Sequence, residues 1–255
     1  MCSVLPERAL IQYRTRCLTD EIVLTNNIEG VQSTRKEINE ILSDLSTKDR
    51  KKRFVGLVKK YATLSQNEEI PLRTGRDIRK IYDDIFYDEI SATDPSNLPD
   101  GTVFRKNNVN VYSPTQKVIH TGVHPESEII SIMDKSLNFL ANADCDILIR
   151  IAVFHYLFGY IHPFYDGNGR VGRLLLLKMC LENDIVPFYI NSESKMFYYA
   201  GLKEWQTQGK PNRLLDVFLS MQDDMKAVLD YFEIDYDHTE TISSALVEQH
   251  KNWKL

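Results

Sequence analysis

The run HPFYDGNGRVGR, His162 to Arg173, joins two of the most apolar segments of the chain, DILIRIAVFHYLFGYI before it and LLLLKMCLEN after it. A turn between two core helices needs residues that reverse the chain, and Asp166 to Gly169 supply them. It does not need two arginines in the first turn of the second helix, where the helix dipole is already positive. An anion resolves the conflict. Backbone N–H groups of Gly167, Asn168 and Gly169 can converge on a phosphate at the helix start. Arg170 and Arg173 are three apart, share one helix face and suit two adjacent phosphates. Asp166 would repel a bare phosphate but becomes an anchor when Mg2+ lies between them. His162 is the side chain of this run able to take a proton near neutral pH. The spacing reads as a metal-polyphosphate site with a base beside it, against the competing reading of an ordinary αα-hairpin turn.

Other chemistries fit less well. The chain has no GxxxxGK[ST] loop, no GxGxxG before a helix, and no HRD or DFG set. A zinc site on His155 and His162 would have to span two helical turns, with Pro163 interrupting the geometry. Cys2, Cys17, Cys145 and Cys180 show no CxxC spacing, and Cys145 and Cys180 sit in apolar surroundings that predict buried thiols in a reducing compartment.

The elements that must hold this run are mostly helical. Apolar spacing predicts helices over 35–46, 51–64 and 73–87, then a Pro-containing loop over 91–101. Residues 102–123 alternate and are rich in β-branched side chains, which predicts one hairpin with SPTQ at its tip. HPESEIISIMDKSLNFLAN opens a further helix with Pro125 in its first turn. Residues 146–161 and 171–183 are apolar nearly all round and predict central, buried helices. RLLDVFLSMQDDMKAVLDYF reads as another amphipathic helix before a loosely attached end. The expected division is 1–68 as an N-terminal helical region, 69–228 as the core domain and 229–255 as a tail.

In 255 residues, 43% are hydrophobic and 26% charged, which is ordinary for a globular protein and allows a large core. A net charge of -5 argues against nucleic-acid partners and anionic membranes. The opening MCSVLPERALIQYRTR lacks a signal-peptide pattern, and Ile147 to Ile161 is too short and too polar to span a bilayer. A cytoplasmic location is the expectation.

His162-Pro-Phe-Tyr-Asp166-Gly167-Asn168-Gly169-Arg170-Val-Gly-Arg173 resembles the Fic-domain signature HxFx(D/E)GNGRxxR at every defining position. The resemblance implies a mostly α-helical Fic fold, a helical bundle with one β-hairpin flap. It implies that His162 is the general base, that Asp166 holds Mg2+, that Gly167, Asn168 and Gly169 form the anion hole, and that Arg170 and Arg173 hold the distal phosphates. The implied reaction moves AMP from ATP to a Ser, Thr or Tyr hydroxyl of a protein. A protein substrate, self-modification and self-association are the implied partners.

TNNIEG, Thr25 to Gly30, resembles the family's inhibitory motif [ST]xxxE[GN], in which the glutamate pairs with the second arginine of the signature, here Arg173. Read locally, Asn26 and Glu29 are also close to a capping box, with Gly30 as a helix stop. The hairpin resembles the family flap that aligns a target strand, with Val109, Asn110 and Val111 at its edge. Tyr198 and Tyr199 match a family YY pair near the nucleotide, and Gln206 falls where some members place an adenine-contacting asparagine. Removal of AMP, transfer of UMP, and a non-catalytic nucleotide-binding module stay open as alternatives.

Overall fold

The computed structural model describes residues 7–45, 53–65, 70–112 and 115–183, with single positions between 196 and 216. The chain divides into two compact units, one of Cys17–Pro187 and one of Met1–Arg16 with Phe188–Leu255. Among the described residues the larger unit is mostly helical, with one small antiparallel sheet. The helix expected over 213–232 and the tail over 229–255 lie outside the described residues, apart from Arg213 and Asp216.

Helix α1 (Glu7–Ile28) is followed by α2 (Arg35–Ser43), α3 (Val55–Ser65) and α4 (Gly75–Thr93). Thr34 caps α2 through the Glu37 N–H, and Thr74 with Asp77 forms a reciprocal capping box on α4. The α4 helix runs past its expected end at 87 and stops at Thr93, because Pro95 disfavours helical backbone at Asp94. Its buried stripe, Ile78, Ile81, Tyr82, Ile85 and Phe86, follows the 3.6-residue period. After it come strands β1 (Asn110–Tyr112) and β2 (Val118–Thr121), then α5 (Glu126–Asn142), α6 (Ile147–Ile161) and α7 (Asn168–Glu182). Helix α6 packs between α5 and α7, and α4 packs on α3.

Four expectations need correction. The hairpin does not occupy 102–123, since its strands are three and four residues long. Residues 102–104 cannot pair as a strand because the Glu126 carboxylate takes their N–H groups, at 3.0 Å from Thr102, 2.7 Å from Val103 and 3.0 Å from Phe104. Val109 therefore lies just before β1, and only Asn110 and Val111 are in it. Pro125 is the residue before α5 rather than part of its first turn. Finally, α6 is not buried all round. Ile151, Phe154, Phe158 and Ile161 form its buried stripe, whereas Tyr160 is 41% exposed. Helix α7 is the central one, with Val171, Gly172, Leu174, Leu175, Leu176, Met179 and Cys180 buried on every side. Cys145 is only half-buried.

Candidate active site

The site begins where α6 ends. Pro163 removes helical backbone as an option for His162, which turns instead into the left-handed region at φ 52° and ψ 62°. The last carbonyls of a helix have no partner within it. In α6 each finds one in the loop or the hairpin. Phe158 O accepts from His162 N at 3.1 Å, and Gly159 O holds the His162 ring. Tyr160 O accepts from His120 at 2.7 Å, and Ile161 O accepts from Val123 N at 3.1 Å. With one ring nitrogen donating to Gly159, the other nitrogen of a neutral His162 ring is bare and can accept a proton. Burial pushes the His162 pKa down to about 4, against the opposing pull of the Gly159 carbonyl, while the fields of His120 and Arg105 add to the depression and Glu29 opposes it.

Beneath His162 lies Arg105, fully buried and without a carboxylate partner among the described residues. Its guanidinium donates to the carbonyls of His162 at 2.9 Å, Asn107 at 2.6 Å and Val123 at 2.8 Å. Burial lowers its pKa without bringing it near neutrality. A β-carbon at Gly122 would collide with this guanidinium. Nothing in the spacing of Arg105 marks it out, because its partners are backbone oxygens gathered from three segments.

Phe164 plugs the loop into the core, stacked on Tyr82 at 3.8 Å and edge-on to Phe104 at 5.7 Å. Asn168 then closes the loop. Its side-chain amide accepts from Phe164 N at 2.9 Å and donates to Phe164 O at 2.8 Å. Gly167, at φ 77°, is the αL residue that lets α7 start immediately afterwards. Its own N–H is already taken by Asp166 Oδ1 at 2.6 Å. The unpaired donors at the start of α7 are therefore the N–H groups of Asn168, Gly169 and Arg170, one residue further on than expected.

Arg170 is buried, with its guanidinium 4.3 Å over the Phe86 ring and one nitrogen 3.3 Å from Asp166 Oδ2. Its Nε is buried and has no hydrogen-bond partner, a donor that an anionic oxygen would satisfy. Asp166 is 57% exposed. Among the described residues no three His, Cys, Asp or Glu side chains cluster. One exposed carboxylate beside an anion site still fits Mg2+, which binds through one or two carboxylates together with substrate phosphates and waters.

Helix α1 reaches this site with its C-terminal turn. Arg173 donates through Nε to Thr25 Oγ1 at 2.7 Å, and through Nη2 to Thr25 O at 2.9 Å and Glu29 Oε1 at 2.7 Å. The Glu29 carboxylate also lies against Gly169 so closely that a β-carbon there would collide with it. Asn26 and Glu29 stand at the end of α1 and not at a helix start, so the capping-box reading fails. What caps α1 is a Schellman motif: Val31 N donates to Asn26 O at 2.9 Å and Gly30 N to Asn27 O at 3.0 Å, with Gly30 at φ 75°. The final glycine of TNNIEG thus ends the helix in the one way that leaves Glu29 aimed at Arg173.

Two residues of this cluster were not anticipated. Glu21, four before Thr25 on the same face of α1, is buried. Burial raises its pKa to about 7, against the opposing field of Arg173 and a Tyr61 hydrogen bond at 3.4 Å. Tyr61, fully buried on α3, also bonds to Thr25. The spacing Glu21, Thr25, Glu29, at intervals of four, was a visible signal for a shared face. Arg173 also acts on His155, which is half-buried, its pKa pushed down to about 4 by desolvation and by Arg173, with Nδ1 3.2 Å from Gly172 O. Neither His155 nor His162 belongs to a group of three or more possible metal ligands among the described residues.

The sequence profile of the Fic/DOC family matches residues 74–180, which contain the whole elbow from His162 to Arg173. Over those residues the chain is similar to the Fic/DOC family. The chain is 36% identical over 81 residues to the probable protein adenylyltransferase aq_aa38 of Aquifex aeolicus, covering 31% of this chain and 25% of that one. It is 36% identical over 84 residues to the protein adenylyltransferase fic-1 of Caenorhabditis elegans, covering 32% and 16%. A longer match, 27% over 204 residues, joins it to the protein adenylyltransferase Fic of Drosophila ananassae, covering 76% and 38%. The chain thus spans less than half the length of these relatives. The fold resembles that of a Fic family protein from Desulfovibrio desulfuricans G20, with a TM-score of 0.62 at 20% identity over 92% of this chain and 71% of that one. It likewise resembles Fic-1 from C. elegans, with a TM-score of 0.63 at 21% identity over 90% and 68%.

The structure brings together His162, Asp166, Gly167, Asn168, Gly169, Arg170, Arg173, Thr25, Glu29 and Gly30. Asn110 and Val111 lie on the hairpin whose second strand is tied to α6, and Val109 just precedes it. Tyr198 belongs to the smaller unit, where it is buried. Tyr199 and Gln206 lie outside the described residues. No helix among the described residues is long and apolar enough to cross a membrane.

Proposed function

We propose that this protein is a protein adenylyltransferase that carries AMP from ATP to a hydroxyl of a protein, and that α1 holds it inhibited. The observation that carries the reading is the elbow itself: a neutral His162 with a bare ring nitrogen, next to a helix start with three unpaired N–H groups and the buried donor of Arg170. The named activity of the relatives supports the same reaction class.

In this reading the phosphates of ATP lie on the N–H groups of Asn168, Gly169 and Arg170. Asp166 would hold Mg2+, which neutralises phosphate charge when bound. The target hydroxyl oxygen attacks the α-phosphorus, and its proton passes to the bare nitrogen of His162. The bond from the α-phosphorus to the oxygen bridging it to the β-phosphorus breaks, and pyrophosphate leaves. Arg173 is the cation one turn further along α7, the natural partner of the terminal phosphate. Its engagement with Thr25 and Glu29 supports inhibition, because the same guanidinium cannot serve both. The Glu29 carboxylate against Gly169 adds an anion where the phosphates must lie.

The experiment is incubation of the Glu29→Gly protein with labelled ATP and cell lysate. Strong labelling that the parent lacks, and that His162→Ala abolishes, is the expected outcome. Equal labelling by parent and Glu29→Gly would remove inhibition, and labelling that survives His162→Ala would remove the base. The reverse reaction, hydrolysis of AMP from a modified protein, draws support from the field of Glu29 at His162, which would suit a carboxylate orienting water. Release of AMP from pre-modified protein by the parent, lost in Glu29→Gly, distinguishes it.

A further inference from the structure

We infer that His120, on the flap, is a positioning residue that sets the height of the target-docking strand relative to His162; the inference rests on the adenylyl-transfer reading. The last turn of α6 presents four carbonyls in succession. Two of them, Phe158 O and Gly159 O, fix the backbone and the ring of His162. The next two, Tyr160 O and Ile161 O, fix the hairpin, through His120 Nε2 at 2.7 Å and Val123 N at 3.1 Å. The base and the flap therefore hang from one helical turn, and the register between them is set by which carbonyl each takes.

His120 is the side-chain member of this set. A carbonyl only accepts, so Nε2 carries the hydrogen. Placing that donor at the negative end of α6 strengthens the bond. The ring lies 5.2 Å from the Tyr160 ring and 6.4 Å from the His162 ring between centroids. On the sheet His120 stands opposite Val111, in the middle of the two-strand pairing, so it anchors the strand that carries β1. With two strands among the described residues and a register shift between Val111 and Tyr112, the hairpin has little of its own to hold it in place. A flap lifted from α6 would still leave ATP bound but would hold the target hydroxyl out of line with His162.

Side-chain length supplies the test. Gln places its amide nitrogen where Nε2 stands, whereas Asn reaches only as far as Nδ1. The variants H120A, H120N and H120Q are made in the Glu29→Gly protein. Amide hydrogen exchange is followed over 110–112 and 118–121, Mg-ATP affinity is measured by calorimetry, and AMP transfer is measured to a His162→Ala copy of this chain as acceptor. H120A and H120N should speed flap exchange and raise KM for the acceptor roughly tenfold, the scale of one lost hydrogen bond, with Mg-ATP affinity held within about twofold, and H120Q should restore both. Flap exchange and acceptor KM unchanged in all three variants would overturn the inference, as would H120Q failing alongside H120A. If the Glu29→Gly parent transfers no AMP to any acceptor, the adenylyl-transfer reading fails, and the exchange series alone still decides the role of His120.

Discussion

Arg173 and Glu29, 144 residues apart in the chain, meet at 2.7 Å over the start of α7. The pair is only partly sheltered, with Arg173 11% and Glu29 33% exposed. Its geometry owes as much to Thr25, which accepts twice from the same guanidinium, as to the carboxylate.

That division predicts graded release. Thr25→Val keeps the shape and the Thr25 carbonyl but loses the hydroxyl at Nε. A hydrogen bond to a charged group contributes about 1.5–3 kcal/mol, so the clasp should weaken by roughly ten- to a hundredfold. AMP-labelling rates should rank parent, then Thr25→Val, then Glu29→Gly. Identical rates for parent and Thr25→Val would show that the hydroxyl contributes nothing.

Gly30→Ala should loosen the clasp without touching it. At φ 75° a β-carbon adds about 1–2 kcal/mol of strain, although nothing lies within 4 Å to clash with it. Urea unfolding should show that loss, and basal AMP transfer should rise as the end of α1 frays. Unchanged stability would mean that the turn is not held as the Schellman bonds indicate.

Glu21 makes stability depend on pH. Its folded pKa, about 7, is raised above the ordinary 4.5, so its contribution is fully present below pH 4.5 and is lost as pH rises through 7. That rise corresponds to about 3 kcal/mol. Glu21→Gln should therefore unfold at higher urea than the parent at pH 8 and at nearly the same urea at pH 4.5. His155 and His162, both depressed to about 4, act in the opposite sense and lose stability as pH falls from 6.5 towards 4. Being common to both proteins, they cancel in the difference.

The same depression of His162 bears on the rate. In Glu29→Gly the acid limb of kcat/KM for Mg-ATP, which reports the free enzyme, should lie near pH 4 or below, because the field of Glu29, which opposed the depression, is gone. A limb near 6.5 would mean that the ring is solvated and not buried.

Arg105→Met should be the most damaging of these changes. It keeps the bulk but leaves the carbonyls of His162, Asn107 and Val123 without their shared donor. These carbonyls are only part-buried, so water can replace some of the lost bonds and the loss should be roughly 1–3 kcal/mol by urea unfolding. A stable variant with an intact flap would show that other donors replace it.

The residues that could do chemistry were legible in the sequence because they are local. His162 to Arg173 is one helix end, one turn and one helix start, and its spacing alone dictates which side chains share a face. Most of the helices around it were legible to within a few residues, since periodic burial leaves a periodic pattern, but α4 runs six residues past its expected end and α1 was expected only as part of a helical N-terminal region without bounds. Which polar groups were already occupied was a matter for the tertiary structure. Gly167 N is spent on Asp166, Asn168 works as a clamp on Phe164, and residues 102–104 give up strand pairing to Glu126. Glu126, Arg105 and His120 act on backbone atoms of distant segments, and a backbone carbonyl carries no mark in the sequence of what will approach it. The order of the chain thus determined what this site is made of, and long-range packing decided how its donors and acceptors are shared, because every buried polar group must find a partner and only the folded chain brings the candidates together.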